Sequence, residues 1–188
     1  TIRHHDIRRR LESALFGVGV PVEHEVQGLL PTAPDRRPGD LVLREWAGGR
    51  VAAVDVTVHS PLQDKYRLLS AEAGGLAAEA AATAKPEERK QGDQSTFDLC
   101  AAAGIDFVPL AYETYGACCA AGHAFLRQCA KVMAEARGLP PSEAVDQLYQ
   151  TLSVTLQRGN ARMLLSRMGL QSAHDPRDSL RAVLEDAI

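Results

Sequence analysis

Two short runs of strand-forming residues around a pair of glycines constrain this chain more than any other feature. The runs are Asp40 to Trp46 and Val51 to His59, separated by Ala47-Gly48-Gly49-Arg50. Glycines between β-rich segments predict a hairpin. Side chains alternate faces along a strand. Ala52, Val54, Val56 and Val58 therefore form one apolar face, and Val51, Ala53, Asp55, Thr57 and His59 form another that turns polar toward its end. On the first strand Leu41 and Leu43 share one face, and Asp40, Val42 and Arg44 share the other. A turn closed symmetrically about Gly48-Gly49 sets Asp40 opposite Thr57 and Val42 opposite Asp55. The apolar faces then coincide, a match that a one-residue slip would destroy. In that register Asp40 and Asp55 are diagonal neighbours on one face, roughly 7–8 Å apart between backbones.

An aspartate inside Val-Ala-Ala-Val-Asp-Val-Thr-Val is out of place on propensity alone, because strands are depleted in aspartate. Two carboxylates at that separation can share a hard divalent cation. Mg²⁺ typically takes one or two carboxylates, retained waters and a substrate phosphate. Such an ion polarises a phosphodiester and acidifies an attacking water. A lysine beside it adds positive charge where the transition state needs it. The bland reading makes Asp40 a strand-start turn residue and Asp55 a solvent-facing one.

The remaining pattern predicts an α/β chain, an α+β sheet core flanked by helices with extra helices at the C-terminal end. Ile7, Leu11 and Leu15 mark a helix over Asp6 to Phe16. Val22 to Val26 reads as extended, and 31–38, with three prolines, as a loop. Leu68 to Ala84 is rich in Ala, Leu and Glu and is expected to be helical despite Gly74 and Gly75. Ser95 and Asp98 form a capping-box pattern for a short helix ending at Gly104. Phe107 to Glu113 reads as a buried strand in which Pro109 implies an end or a bulge. Two amphipathic helices follow, Ala120 to Arg137 and one from near Ser142 toward Gly169, the second with Leu148, Leu152 and Leu156 on its stripe. Asp175-Pro176 opens a last short helix. The expected division is a core over 1–138 and a helical extension over 139–188 packed on it.

Composition is ordinary for a globular protein, with 45% hydrophobic and 24% charged residues. No apolar run approaches the ~20 residues needed to cross a membrane, which predicts an intracellular domain without membrane contact. A start at Thr1 rather than Met suggests a fragment of a longer polypeptide. The net charge of -3 still permits nucleic-acid binding through a local basic stripe. Arg8, Arg9 and Arg10 form one cluster, and Arg158, Arg162 and Arg167 another; solvated helix faces account for them as well as DNA contact does. Cys118 and Cys119 with His123 lack the spacing of a structural zinc site, and no second pair lies nearby. No zinc is expected, and the four cysteines are read as small core residues.

Arg37-Pro38-Gly39-Asp40 followed by Ala53-Val54-Asp55-Val56-Thr57-Val58 resembles the PD-(D/E)XK restriction-endonuclease-like nucleases. More narrowly it is similar to the endonuclease domain that follows the reverse transcriptase of site-specific non-LTR retrotransposons. Ser60-Pro61-Leu62-Gln63, Arg89-Lys90, Pro109 to Gly116 and Leu152 to Ala161 extend the resemblance in order over most of the chain, from about Arg3 to Leu165. It implies a Mg²⁺- or Mn²⁺-dependent endonuclease that nicks target DNA. It also implies that the chain belongs with a reverse transcriptase and zinc fingers in a larger polypeptide, nuclear if the element is eukaryotic. Double-strand cleavage by a single-site nuclease would call for a homodimer.

By that resemblance Asp40 and Asp55 are the paired acids and the metal ligands. The superfamily commonly places lysine two positions after the second acid, where this chain has Thr57. The retrotransposon domains take the lysine from the following helix, which points to Lys90, with Lys85 as its rival. Glu113 resembles an acidic position at the end of the last core strand, and a plain strand-end carboxylate fits equally. Glu25 and Glu12 are candidates for an ancillary acid ahead of the hairpin, and His59 shares the Asp55 face. Arg8, Arg9, Arg158 and Arg162 are the DNA-binding candidates. A competing class is a nuclease-fold module that binds nucleic acid or protein without cleaving, favoured by Thr57 and the acidic net charge. A third is a helical oligomerisation piece built on Leu152 and Leu156.

Overall fold

The structure is a computed structural model that describes residues 1–86 and 94–168. The helix expected at Asp175 lies outside those residues. Four strands form one mixed sheet in the order β1-β2-β3-β4: β1 (Glu23–His24), β2 (Leu41–Trp46), β3 (Arg50–His59) and β4 (Ile105–Glu113). β1, β2 and β3 pair antiparallel, and β3 and β4 pair parallel. Among the described residues six α-helices surround the sheet: α1 (Ile2–Phe16), α2 (Arg67–Glu72), α3 (Leu76–Ala84), α4 (Thr96–Ala102), α5 (Ala120–Arg137) and α6 (Pro141–Arg167). The expected α+β core is therefore present, with α2, α3 and α4 forming the crossover that a parallel pair requires.

Each face of the hairpin is buried against a different partner. Leu41, Leu43, Val54 and Val56 join Ile7, Leu11 and Leu15 of α1, Leu126 and Cys129 of α5, and Leu148, Leu152 and Leu156 of α6 in the main core. The other face, read as turning polar only toward its end, is covered as well: Ala53 packs with Leu30, Ala33, Leu99, Cys100 and Ile105 in a second, smaller core. β3 is thus a central strand covered on both sides, and Asp55 and Thr57 are buried polar groups within it.

Several expectations need correction. The hairpin turn occupies Ala47–Gly49, with Trp46 paired to Arg50, so it is centred on Gly48 and not between the two glycines. A further irregularity between Leu43 and Trp46 moves the register again, to Leu41 against Val54 and Val42 against Ala53. Two one-residue changes of the same sign leave the faces matched. They also carry Asp40 past Thr57 to the level of Asp55. Gly48 and Gly49 both take positive φ, 75° and 77°, which explains why this turn is written in glycine.

The segment expected as one helix over 68–84 is two, broken at Ala73–Gly75, where Gly75 has φ 93° and starts α3. Extended structure around Val22 to Val26 is limited to Glu23–His24. α1 begins four residues earlier than its apolar pattern, at Ile2, because the Thr1 side chain caps it by accepting from His4 N. Pro109 neither ends nor bulges its strand; it lies mid-way along β4 in continuous register, opposite Asp55. β4 is an edge strand, and Ala111 O and Glu113 N bond outward to Cys119 N and Ala117 O. Pro109 has the same parity, so its missing N–H falls on the open edge, where the sheet does not need it.

Candidate functional site

The site forms where β2 starts and β3 runs on beyond it. Asp40 N donates to Val54 O at 2.9 Å, the last backbone bond of the β2–β3 ladder on this side. The next donor, Val56 N, has no β2 carbonyl to meet and is satisfied by Asp40 Oδ2 at 2.7 Å. The carboxylate therefore completes the ladder where the strand has run out, and does not stand off the sheet face as the hairpin geometry predicts. Gly39 makes this approach possible. A Cβ there would lie 2.7 Å from Val54 O and 2.9 Å from Val54 C, closer than backbone atoms permit.

His4, from the first turn of α1, donates its Nε2 to the same Asp40 oxygen at 2.9 Å. Burial pushes the Asp40 carboxyl upward. The bonds from His4 and Val56 N, and the charges of His4 and Lys85, outweigh that and hold it below its usual value of 3.8. His4 was missed from sequence because the helix pattern was read only from Asp6. The signal was Thr1, a capping residue three positions ahead of the His4-His5 pair.

Asp55 projects from β3 toward α3, and Lys85, at the C-cap of that helix, places its Nζ 3.4 Å from Asp55 Oδ2. Arg37, Pro38, Asp55, Lys85, Thr96 and Phe107 line a small recess around this pair. Lys85, the rival candidate, meets Asp55, and Lys90 lies outside the described residues. Thr57, two residues on, shares a 2.9 Å hydrogen bond with His59 Nε2, and the His59 ring stands edge-on to Tyr66.

Glu113 has a structural task that the sequence left open. It is 4% exposed and accepts from Ala77 N at 3.1 Å and Ala78 N at 3.3 Å, the unpaired donors of the first turn of α3. Gly75 at the N-cap has no side chain to do this. One end of α3 is fixed by a carboxylate on β4, and the other end delivers Lys85 to Asp55.

Glu25 and Glu12 are engaged elsewhere. Glu25 pairs with Arg37 and Glu12 with His24, each at 2.5 Å, although Glu25 N donates to Asp40 O at 3.2 Å. The cysteines are all buried and free of disulfides. Cys119 is the N-cap of α5, accepting from Gly122 N and donating to Pro109 O. A hydrogen bond from the Cys118 thiol holds the Cys119 thiol below its ordinary value.

The two arginine clusters, some 150 residues apart in sequence, are brought together. α1 and α6 run antiparallel in close contact, because Gly159 leaves space that a Cβ would take from Arg3 Cγ at 2.9 Å. Arg3 also donates to Asn160 Oδ1, and Asn160 Nδ2 donates to Thr114 O at the end of β4.

Asp40 and Asp55 are the carboxylates here that could hold an ion, one that would have to keep most of its water. Both Asp40 bonds fall on Oδ2, and a second carboxylate and a lysine stand beside it. Among the described residues there is no group of three or more His, Cys, Asp or Glu that could hold a metal ion. No described helix is long and apolar enough to cross a membrane. Compared with known protein families, curated proteins and solved structures, the chain gives no match.

Proposed function

We propose that this chain is a metal-dependent endonuclease domain that hydrolyses DNA phosphodiesters, with Asp40, Asp55 and Lys85 as its working residues. The observation that carries the reading is the pairing of Lys85 with the buried Asp55 next to a second, half-buried acid, Asp40. A carboxylate, a carboxylate and a lysine are what Mg²⁺-assisted phosphoryl chemistry needs at one point. The resemblance to the PD-(D/E)XK nucleases supplies the same three residue types.

Asp40 and Asp55 would hold Mg²⁺ or Mn²⁺, which when bound polarises the phosphodiester and lowers the pKa of a water. Asp40 is kept ionised by its bonds to Val56 N and His4. Lys85 comes from α3 and so supplies the positive charge that Thr57 cannot. Its place beside Asp55 suits stabilisation of charge developing on a phosphate oxygen. Arg37 at the rim of the same recess adds a guanidinium for a flanking phosphate.

The test is nicking of supercoiled plasmid with Mg²⁺, Mn²⁺ or chelator, comparing wild type with Asp55→Ala and Lys85→Ala. Metal-dependent nicking by wild type alone is expected. Equal activity in all three proteins would mean a contaminant. DNA binding that survives Asp55→Ala, with no cleavage by wild type, would favour a binding module on the same fold.

A further inference from the structure

α1 and α6 meet along an open groove whose walls carry four arginines, Arg9 and Arg10 from α1 and Arg158 and Arg162 from α6. One aspartate, Asp6, lies among them. It bonds Arg9 NH2 at 3.1 Å and Arg162 NH1 at 2.8 Å, yet the side chains of these arginines remain 68% and 58% exposed. Asp6 therefore aims two guanidinium groups without covering them. Arg10 and Arg158 are exposed and have no ion pair among the described residues. From Asp6 to Ser13 the groove runs about 10 Å along α1, the axial length of roughly three phosphates on one DNA strand.

The groove is linked to the candidate site through shared lining residues. Arg9 also lines a second hollow with Arg8 and Arg37. Arg37 in turn borders the Asp55–Lys85 recess. An arginine thus lines each hollow between the groove and the proposed point of cleavage, Arg37 among them being paired with Glu25. Glu12 and Glu25, the acids along the middle of the path, are each bonded to a basic partner, His24 and Arg37.

We infer that the α1–α6 groove and the arginines leading from it form a track for one phosphate strand of duplex DNA, guiding it to Asp55 and Lys85. The inference rests on the nuclease reading for its destination and on the groove itself for its charge. Guanidinium groups read a phosphate backbone without reading bases, so the track orients DNA and carries no sequence preference. An overall net charge of -3 is compatible, because the positive charge is gathered on one line.

Binding is measured by fluorescence anisotropy of a labelled 30-base-pair duplex in chelator, where nothing is cut, across a range of salt concentrations. The full chain is compared with Arg10→Gln/Arg158→Gln and with Arg127→Gln/Lys131→Gln, an equal charge loss at exposed positions of α5 outside the groove. Glutamine keeps the helices. The groove variant is expected to lose about 0.9 in the slope of log K against log salt per arginine, close to a tenfold loss each between 1 M and 0.1 M salt. The α5 variant should match wild type. Equal slopes in the two variants would overturn the track, as would tighter binding of a single strand or of duplex RNA. A groove-dependent slope with no nicking under Mg²⁺ would leave the track standing and remove the nuclease reading. Nicking with unchanged slopes would do the reverse.

Discussion

Removing the Glu113 carboxylate should loosen α3 from the sheet and with it the lysine at the far end of that helix. Glu113 is buried and accepts two backbone N–H groups that have no partner within the helix. A hydrogen bond to a charged group contributes about 1.5–3 kcal/mol, and loss of a capping side chain costs about 0.5–2 kcal/mol. The two bonds share one carboxylate oxygen, Oε1, so they do not add fully. Glu113→Ala is therefore expected to cost about 3 kcal/mol. Glu113→Gln keeps an acceptor but loses the charge that faces the helix N-terminus, at about 1 kcal/mol. With a urea m-value of about 2 kcal/mol/M, the midpoint should fall by about 1.5 M for alanine and 0.5 M for glutamine. Amide exchange at Ala77 and Ala78 should accelerate in the same order. Alanine and wild-type proteins with equal midpoints and equal protection at those amides would refute the capping role.

Three other perturbations address the start of β2 and the start of α5. Gly39→Ala puts a Cβ against the Val54 backbone, so a loss of about 1–3 kcal/mol is expected, and an unchanged calorimetric Tm would contradict it. The depressed Asp40 carboxyl adds stability that is complete above its unfolded value of 3.8 and disappears as pH falls through the lower folded value. His4→Ala reduces that depression, so its urea stability gap from wild type should narrow below about pH 3.8; a gap constant with pH would argue against the His4–Asp40 bond. Cys119→Ser preserves an N-cap acceptor and a donor to Pro109 O, whereas Cys119→Ala should cost about 1 kcal/mol in urea denaturation. Equal midpoints for the two would show that the cap contributes nothing.

The parts of this structure that were legible are those that depend on local periodicity. Alternation in Val51 to His59, the apolar stripe of α6 and the capping box at Ser95 each specify an element from a few neighbours. Asp40 and Asp55 were legible as neighbours across the hairpin, because a register shift of two preserves strand parity, although the Asp40 carboxylate turns into the ladder and not off the face. Their level was not, since it depends on a turn centred on Gly48 and on an irregularity that no side-chain pattern marks. Lys85 was named from sequence only as a rival, because its reach to Asp55 is set by where α3 begins, at the break before Gly75, and by the Glu113 cap that anchors it. The arginine groove was invisible for a similar reason: helix–helix proximity turns on Gly159, a residue that in isolation only weakens a helix.

Pro109 also decides how this domain behaves among copies of itself. An exposed sheet edge is a template onto which another polypeptide can add a strand, the route to swapped dimers and fibrous aggregates. Along β4 an incoming strand would find no donor at Pro109, the Ala111 carbonyl and the Glu113 amide already taken by residues 117–119, and Tyr112 bridged to Cys118. The residue that looks like a defect in a buried strand thus acts as a guard on the sheet's outer rim, turning crowded chains away from edge-to-edge polymerisation.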